Sequence, residues 1–180
     1  MLRLFVSLTA ILGMNLCLAA EADDQANSFA KIYASLCLQN LPNLEALRQK
    51  LAPMPKLPTD KAALFLGGAP GDAWPVPDKY GTFVIALPSG KNLCAVHARR
   101  ADVDVANTLF QKLVANAPAP FTSRMVMNED KQTVANGVTH TVSYEWSIPN
   151  GSRKVLFTLT TAAAETAQLQ VLDSAAIVTQ

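Results

Sequence analysis

Apolar residues recur at helical intervals through the first part of the chain. Phe29, Ile32, Tyr33, Leu36 and Cys37 form one stripe over residues 24–39, since a helix returns to the same side every three or four residues. A second stripe, Leu41, Leu44, Leu47 and Leu51, straddles Pro42. A proline costs little in a first turn, where its missing N–H has no partner, so Pro42 marks a new helix or a kink. Pro53 to Pro58 reads as a stiff connection. Thr59 is placed to cap a short helix over Asp60–Leu66, with Asp60 favourable in its first turn and Gly67-Gly68 ending it. Residues 69–81 show neither the helical nor the strand period and are expected to be loop.

The period then changes to two. Thr82–Leu87 and Asn92–Ala98 are β-rich runs joined by Pro88-Ser89-Gly90-Lys91, which predicts a hairpin. On the second run Leu93, Ala95 and His97 share one face, and Cys94, Val96 and Ala98 the other. Asp102 caps an amphipathic helix whose stripe is Val103, Ala106, Leu109, Phe110, Leu113 and Val114, and Pro118 and Pro120 stop it. Phe121–Thr133 and Val138–Ile148 are predicted strands joined across Asn136-Gly137, a tight-turn signal. Lys154–Thr161 follows as a strand with Val155, Phe157, Leu159 and Thr161 on one face. Leu169–Val178 is ambiguous: the Leu169/Val171 alternation suits a strand, Ser174-Ala175-Ala176 a helix. This order predicts an α+β fold. Its antiparallel sheet has about five or six strands, with the N-terminal helices and one further helix packed on one face.

The extreme N-terminus has a different pattern. Arg3 precedes an apolar run from Leu4 to Leu18, and Ala20-Glu21-Ala22 is a small-x-small cleavage signal before Asp23-Asp24. That is the layout of a secretory signal peptide, and the run is short for a membrane span. Cys17 follows Leu16, whereas lipid attachment needs a small residue directly before the cysteine. The expected organisation is a signal peptide over residues 1–22 and a single α+β domain over 23–180. The product would be periplasmic, without a membrane span after cleavage.

The chain carries 15 Lys+Arg and 14 Asp+Glu, a net charge of +1. A near-neutral balance argues against nucleic acid as a partner, which needs a concentrated basic face. Beyond the leader two cysteines remain, Cys37 and Cys94, 57 positions apart. In an oxidising compartment they are expected to pair, although two buried free thiols are the alternative.

Catalytic signals are sparse. His97 and His140 are the only histidines, and neither has a second ligand at metal spacing, so no metal or cofactor is expected. His97 suits a buried, hydrogen-bonded histidine and His140 a solvated strand position. Cys94 and His97 fall on opposite faces of one strand, a poor geometry for a thiol–imidazole nucleophile. Gly67-Gly68-Ala69-Pro70-Gly71 lacks the Lys-Ser/Thr ending of a phosphate loop, and Glu145 has no carboxylate partner nearby in sequence. No catalytic residue is assigned. The candidate binding segment is the proline-stiffened stretch from Gly71 to Tyr80, with Asp72, Trp74 and Tyr80 as anchors. The alternative makes Trp74 a core residue that caps the sheet.

Phe29-Ala-Lys-Ile-Tyr33 with Cys37, Leu44-Glu-Ala-Leu-Arg-Gln-Lys-Leu51, Gly71-Asp-Ala-Trp74, Gly81-Thr-Phe-Val-Ile85, Lys91 with Cys94-Ala-Val96, and Val155-Leu-Phe-Thr-Leu-Thr160 together resemble a family of small exported proteins of Gram-negative bacteria. The similarity spans most of the chain beyond the leader, but its motifs are structural, and no functional residue carries over. By analogy of size and layout the chain resembles immunity proteins, which neutralise toxins delivered by neighbouring cells. The resemblance implies a protein-binding module that inhibits a toxic, envelope-targeting effector enzyme. Two alternatives remain. One is a small envelope-acting hydrolase or transferase. The other is a small-ligand binder using the sheet face around Val155, Phe157 and Leu159.

Overall fold

The structure, a computed structural model, describes residues 24–179. The expected leader over 1–22 and its cleavage site lie outside the described residues. The fold is α+β, built on one seven-stranded antiparallel sheet with four helical segments among the described residues. Helix α1 spans residues 24–40 and contains a π-helical stretch, Tyr33–Leu38. A 3₁₀ turn, Leu41–Asn43, carries Pro42 into α2 (Leu44–Leu51), where the Asn43 side chain accepts the Ala46 N–H as a cap. Helix α3 is Thr59–Leu66. It begins one residue before the expected start, with Pro58 rather than Thr59 at the cap, and ends at left-handed Gly67.

The sheet order is β1-β2-β3-β7-β6-β5-β4, where β1 is Gly71–Val76, β2 Phe83–Pro88, β3 Leu93–Ala98, β4 Thr122–Thr133, β5 Gly137–Ser147, β6 Arg153–Ala162 and β7 Val171–Thr179. Helix α4, Val103–Val114, crosses between the two strand groups and is capped by the Asp102 carboxylate. The β2–β3 and β4–β5 hairpins form as expected, the latter turning at Gly137 with φ of 71°. The ambiguous C-terminal segment is a strand. β7 inserts between β3 and β6, pairing Ala175 with Cys94 on one side and with Phe157 on the other.

Two sequence expectations are corrected. Residues 71–76 are not loop but the edge strand β1. Their pattern hides this because Pro75 cannot donate to a ladder, a defect that an edge strand tolerates within its length. Gly71 is needed where it stands, at φ of 155°: a Cβ there would lie 2.6 Å from the Leu87 carbonyl oxygen. The helices are also not confined to one face. α1, α2 and α4 cover one side through a core that includes Phe29, Tyr33, Leu47, Phe83, Ile85, Val96, Phe110 and Leu159. On the opposite side α3 lays Ala62 and Leu66 on Ala73, Val84, Ala86 and Ala95. Every residue of β2 is therefore buried. The outer face of β4–β6 carries no helix. It carries paired hydroxyls instead, half-buried Thr141 with Thr160 at 3.1 Å and buried Ser143 with Thr158 at 2.9 Å.

Candidate functional site

The expected disulfide is present. Cys37 on α1 and Cys94 on β3 are bonded, with their Cα atoms 5.4 Å apart. As the alternation on β3 required, Cys94 faces α1 and His97 the opposite side. The π-helical stretch falls where α1 is fastened to the sheet: it holds Cys37 and also Tyr33, whose hydroxyl donates to the Ser174 carbonyl at 3.0 Å.

The three candidate anchors separate. Trp74 is 1% exposed and packs in the main core opposite Ile85, with the Lys56 ammonium 5.5 Å from its ring centre. It is the core residue of the alternative reading, not a surface anchor, because β1 turns Asp72, Trp74 and Val76 toward the face covered by α1, α2 and α4. Asp72 pairs with Lys56 at 2.9 Å and Arg48 at 3.6 Å. Arg48 also donates to the Leu87 and Pro88 carbonyls, so this cluster clamps α2 to the β1–β2 end. Tyr80 lies beyond β1, its N–H bonded to Asp78 and its ring under Lys79. Lys56 thus joins Asp72 to Trp74, while the contacts of Tyr80 stay within its own loop.

His97 departs from its expectation in one respect. It is buried, 4% exposed, but neither ring nitrogen has a hydrogen-bond partner. Burial pushes the imidazole down to about 4, and the Phe65 backbone, close by but outside hydrogen-bond geometry, offsets only part of this. The Phe65 ring stands edge-on at 5.1 Å. A cavity of about 370 Å³ lies alongside, walled by Phe65, Thr82, Val84, His97, Arg99 and Leu169. On the other side of the sheet Asp173 is a second buried polar group, 2% exposed, with one carboxyl oxygen unpartnered. Burial holds its carboxyl well above the usual carboxylate range. It also keeps the Tyr33 phenol neutral: burial raises that group, and Asp173 raises it further.

His140 is partly exposed, with Nδ1 2.7 Å from Asp130 on the neighbouring strand. Glu145 is answered by cations rather than by a second carboxylate. Burial alone would raise it, but Lys154 at 3.2 Å and Arg124 at 3.3 Å hold it below the ordinary range. Among the described residues no cluster of three or more His, Cys, Asp or Glu could hold a metal ion. No helix there is long and apolar enough to cross a membrane.

Two surface features have no counterpart among the assigned anchors. The first is an apolar groove of about 410 Å³ between the α1–α2 junction and strands β5–β7. Val155 and Phe157 line it, as the small-ligand alternative proposed, while Leu159 is sealed in the core. The second is strand β4, a 12-residue edge that is exposed along nearly its whole length. Its pairing with β5 slips between Met125 and Met127, and Met125, Val126 and Met127 are all at least 40% exposed. The sequence signal for this patch was the run Met125-Val126-Met127 itself, which keeps no polar alternation inside an otherwise polar strand.

Comparison of the chain with protein-family models, with curated proteins and with solved structures returns no match.

Proposed function

We propose that the chain is an exported protein-binding module that holds a toxic, envelope-targeting enzyme inactive, and that it grips this partner along β4. The observation that carries the binding reading is the unguarded stretch of that edge. An edge strand offers unpaired N–H and C=O groups to any added strand, so proteins normally blunt it with charge. The distal half of β4 is blunted in this way by Glu129, Asp130 and Lys131. The proximal half presents three consecutive apolar side chains at the slip in pairing. Met125 stands opposite Tyr144, on the helix-covered side, and Met127 opposite Ser143, on the bare side. The patch therefore flanks both faces of the edge, and a partner strand added there would find backbone partners between two methionines. Thioethers adapt to irregular surfaces, which suits them to this use. The near-neutral charge and the disulfide, which fits an oxidising compartment, support the same reading.

The test is affinity capture from periplasmic extract on wild-type protein and on Val126→Lys. An exposed edge position should tolerate the lysine, so thermal unfolding should be unchanged. Partner binding should weaken by about 2 kcal/mol or more, the scale of an interface hot spot. A partner retained equally by the variant removes β4 from the interface. If the captured enzyme keeps full activity when saturated with the protein, the inhibitor reading fails.

A further inference from the structure

We propose that the apolar groove beside β5–β7 is a binding site for a single-chain anionic amphiphile, a free fatty acid, with its hydrocarbon chain in the groove and its carboxylate at Arg153. The groove is concave, about 410 Å³, and within the range of small-molecule sites. Its walls are carbon: Leu41 from the helical side, Phe121 from the segment before β4, and Trp146, Val155, Phe157 and Ile177 from the sheet. The only polar atom of the Trp146 ring is turned away, its indole N–H donating to the Val114 carbonyl. The body of the ligand thus meets ring faces and aliphatic carbon, with no donor from Trp146 to satisfy, and hydrocarbon is the matching chemistry. A core packed to ordinary density leaves no such space, and an apolar hollow open to water is costly unless something fills it.

Charge selects the head group. Two cations lie at the groove, Arg153 and Lys154, and no carboxylate lines it. Lys154 is committed to Glu145 at 3.2 Å. Arg153 is exposed, and its side chain has no ion-pair or hydrogen-bond partner among the described residues. A guanidinium offers a planar fork that matches a carboxylate with two parallel hydrogen bonds. The volume suits one acyl chain rather than the two tails of a membrane phospholipid, which points to a monomeric acid taken from solution.

The probes are laurate, its neutral counterpart dodecanol, and phosphatidylglycerol vesicles, used with the full chain as exported and stripped of bound lipid. Binding is followed by calorimetry and by tryptophan fluorescence, in which Trp146 should respond and core-buried Trp74 should not. Laurate should bind at one site below its micelle-forming concentration. Arg153→Gln should weaken laurate by about tenfold or more, the loss of the exposed charge-assisted pair with the carboxylate, and leave dodecanol unchanged. Because the Arg153 side chain is exposed, the variant should stay folded, which far-ultraviolet circular dichroism checks. Absence of saturable laurate binding overturns the proposal, as does laurate affinity that is the same in wild type and Arg153→Gln. Cosedimentation with the vesicles that Arg153→Gln abolishes, in a protein that shows no saturable laurate binding, would assign the groove to a membrane surface instead and equally overturn it.

Discussion

His97 and Asp173 put two opposed ionisation costs into one sheet. Unfolded, His97 takes up a proton near 6.5, but folded only near 4. Between these values the unfolded chain holds the extra proton, so stability falls as pH drops through the window, by about 3 kcal/mol in all. Asp173 acts in the opposite sense. Unfolded, it releases its proton near 3.8, whereas the folded chain keeps it to well above that value. From 3.8 upward the folded state holds the extra proton, and stability falls as pH rises. Where the windows overlap the slopes cancel. Urea unfolding from about pH 4 upward, to no higher than 6.5, should therefore show little slope from these two groups in the wild type for as long as folded Asp173 keeps its proton. Relative to it, Asp173→Asn should gain stability as pH rises, and His97→Gln should lose it. Parallel curves for all three proteins would show that neither group titrates as its burial requires. Neither cost was legible in the sequence, which shows a histidine and an aspartate on strands but not that both are buried with ring nitrogens or a carboxyl oxygen left unpartnered.

At the scale of elements, α1 is held to the sheet by its stripe, by the Tyr33 hydroxyl and by the Cys37–Cys94 bond. The bond closes a loop of 57 positions, and constraint of the unfolded chain is the main source of its effect. Cys37→Ala should destabilise the protein by roughly 2–5 kcal/mol, the usual loss for a native disulfide, as measured by chemical denaturation. The same protein with both thiols reduced should lose a similar amount. A change well below 1 kcal/mol would mean that packing alone positions α1. The pairing could be expected from the cysteine count and an expected oxidising compartment, and the face of β3 that carries it from strand alternation. β1 could not be recognised, since Pro75 and Gly71 break the pattern that marks a strand. The position of α3 did leave a trace. Phe83-Val-Ile-Ala-Leu-Pro88 is apolar at every position, as a strand covered on both faces should be. One side must then be covered by something other than α1, and α3 covers it.

At the scale of the molecule, the sheet depends on its last strand. The β1–β3 and β4–β6 groups form from neighbours in sequence, but they join only through β7, which pairs with β3 and β6 at once. Deleting residues 171–180 should therefore abolish cooperative unfolding, because both inner ladders lose their partner and Asp173, Ala175 and Ile177 leave the face that α1 covers. Thermal circular dichroism checks this, and a sharp transition in the truncated chain would show that the groups are stable apart.

By itself the sequence determined the elements whose causes are local. The amphipathic stripes gave α1, α2 and α4, the Asp102 cap the start of α4, and Asn136-Gly137 the turn of the β4–β5 hairpin. Alternation on β3 and β6 settled which side chains share a face, and so placed Cys94 toward α1 and Val155 with Phe157. The tertiary structure decided whatever depends on partners distant in the chain. It made the undecided C-terminal segment a central strand, since only β3 and β6 on either side could satisfy its backbone groups. It made β1 an edge and sealed Trp74 into the core. It also assembled the apolar groove from the helical junction, Phe121 and three strands. Periodicity reports how a segment divides its own surface between inside and outside; which remote surface covers the inside, and which part of it stays open, is set only when the whole chain packs.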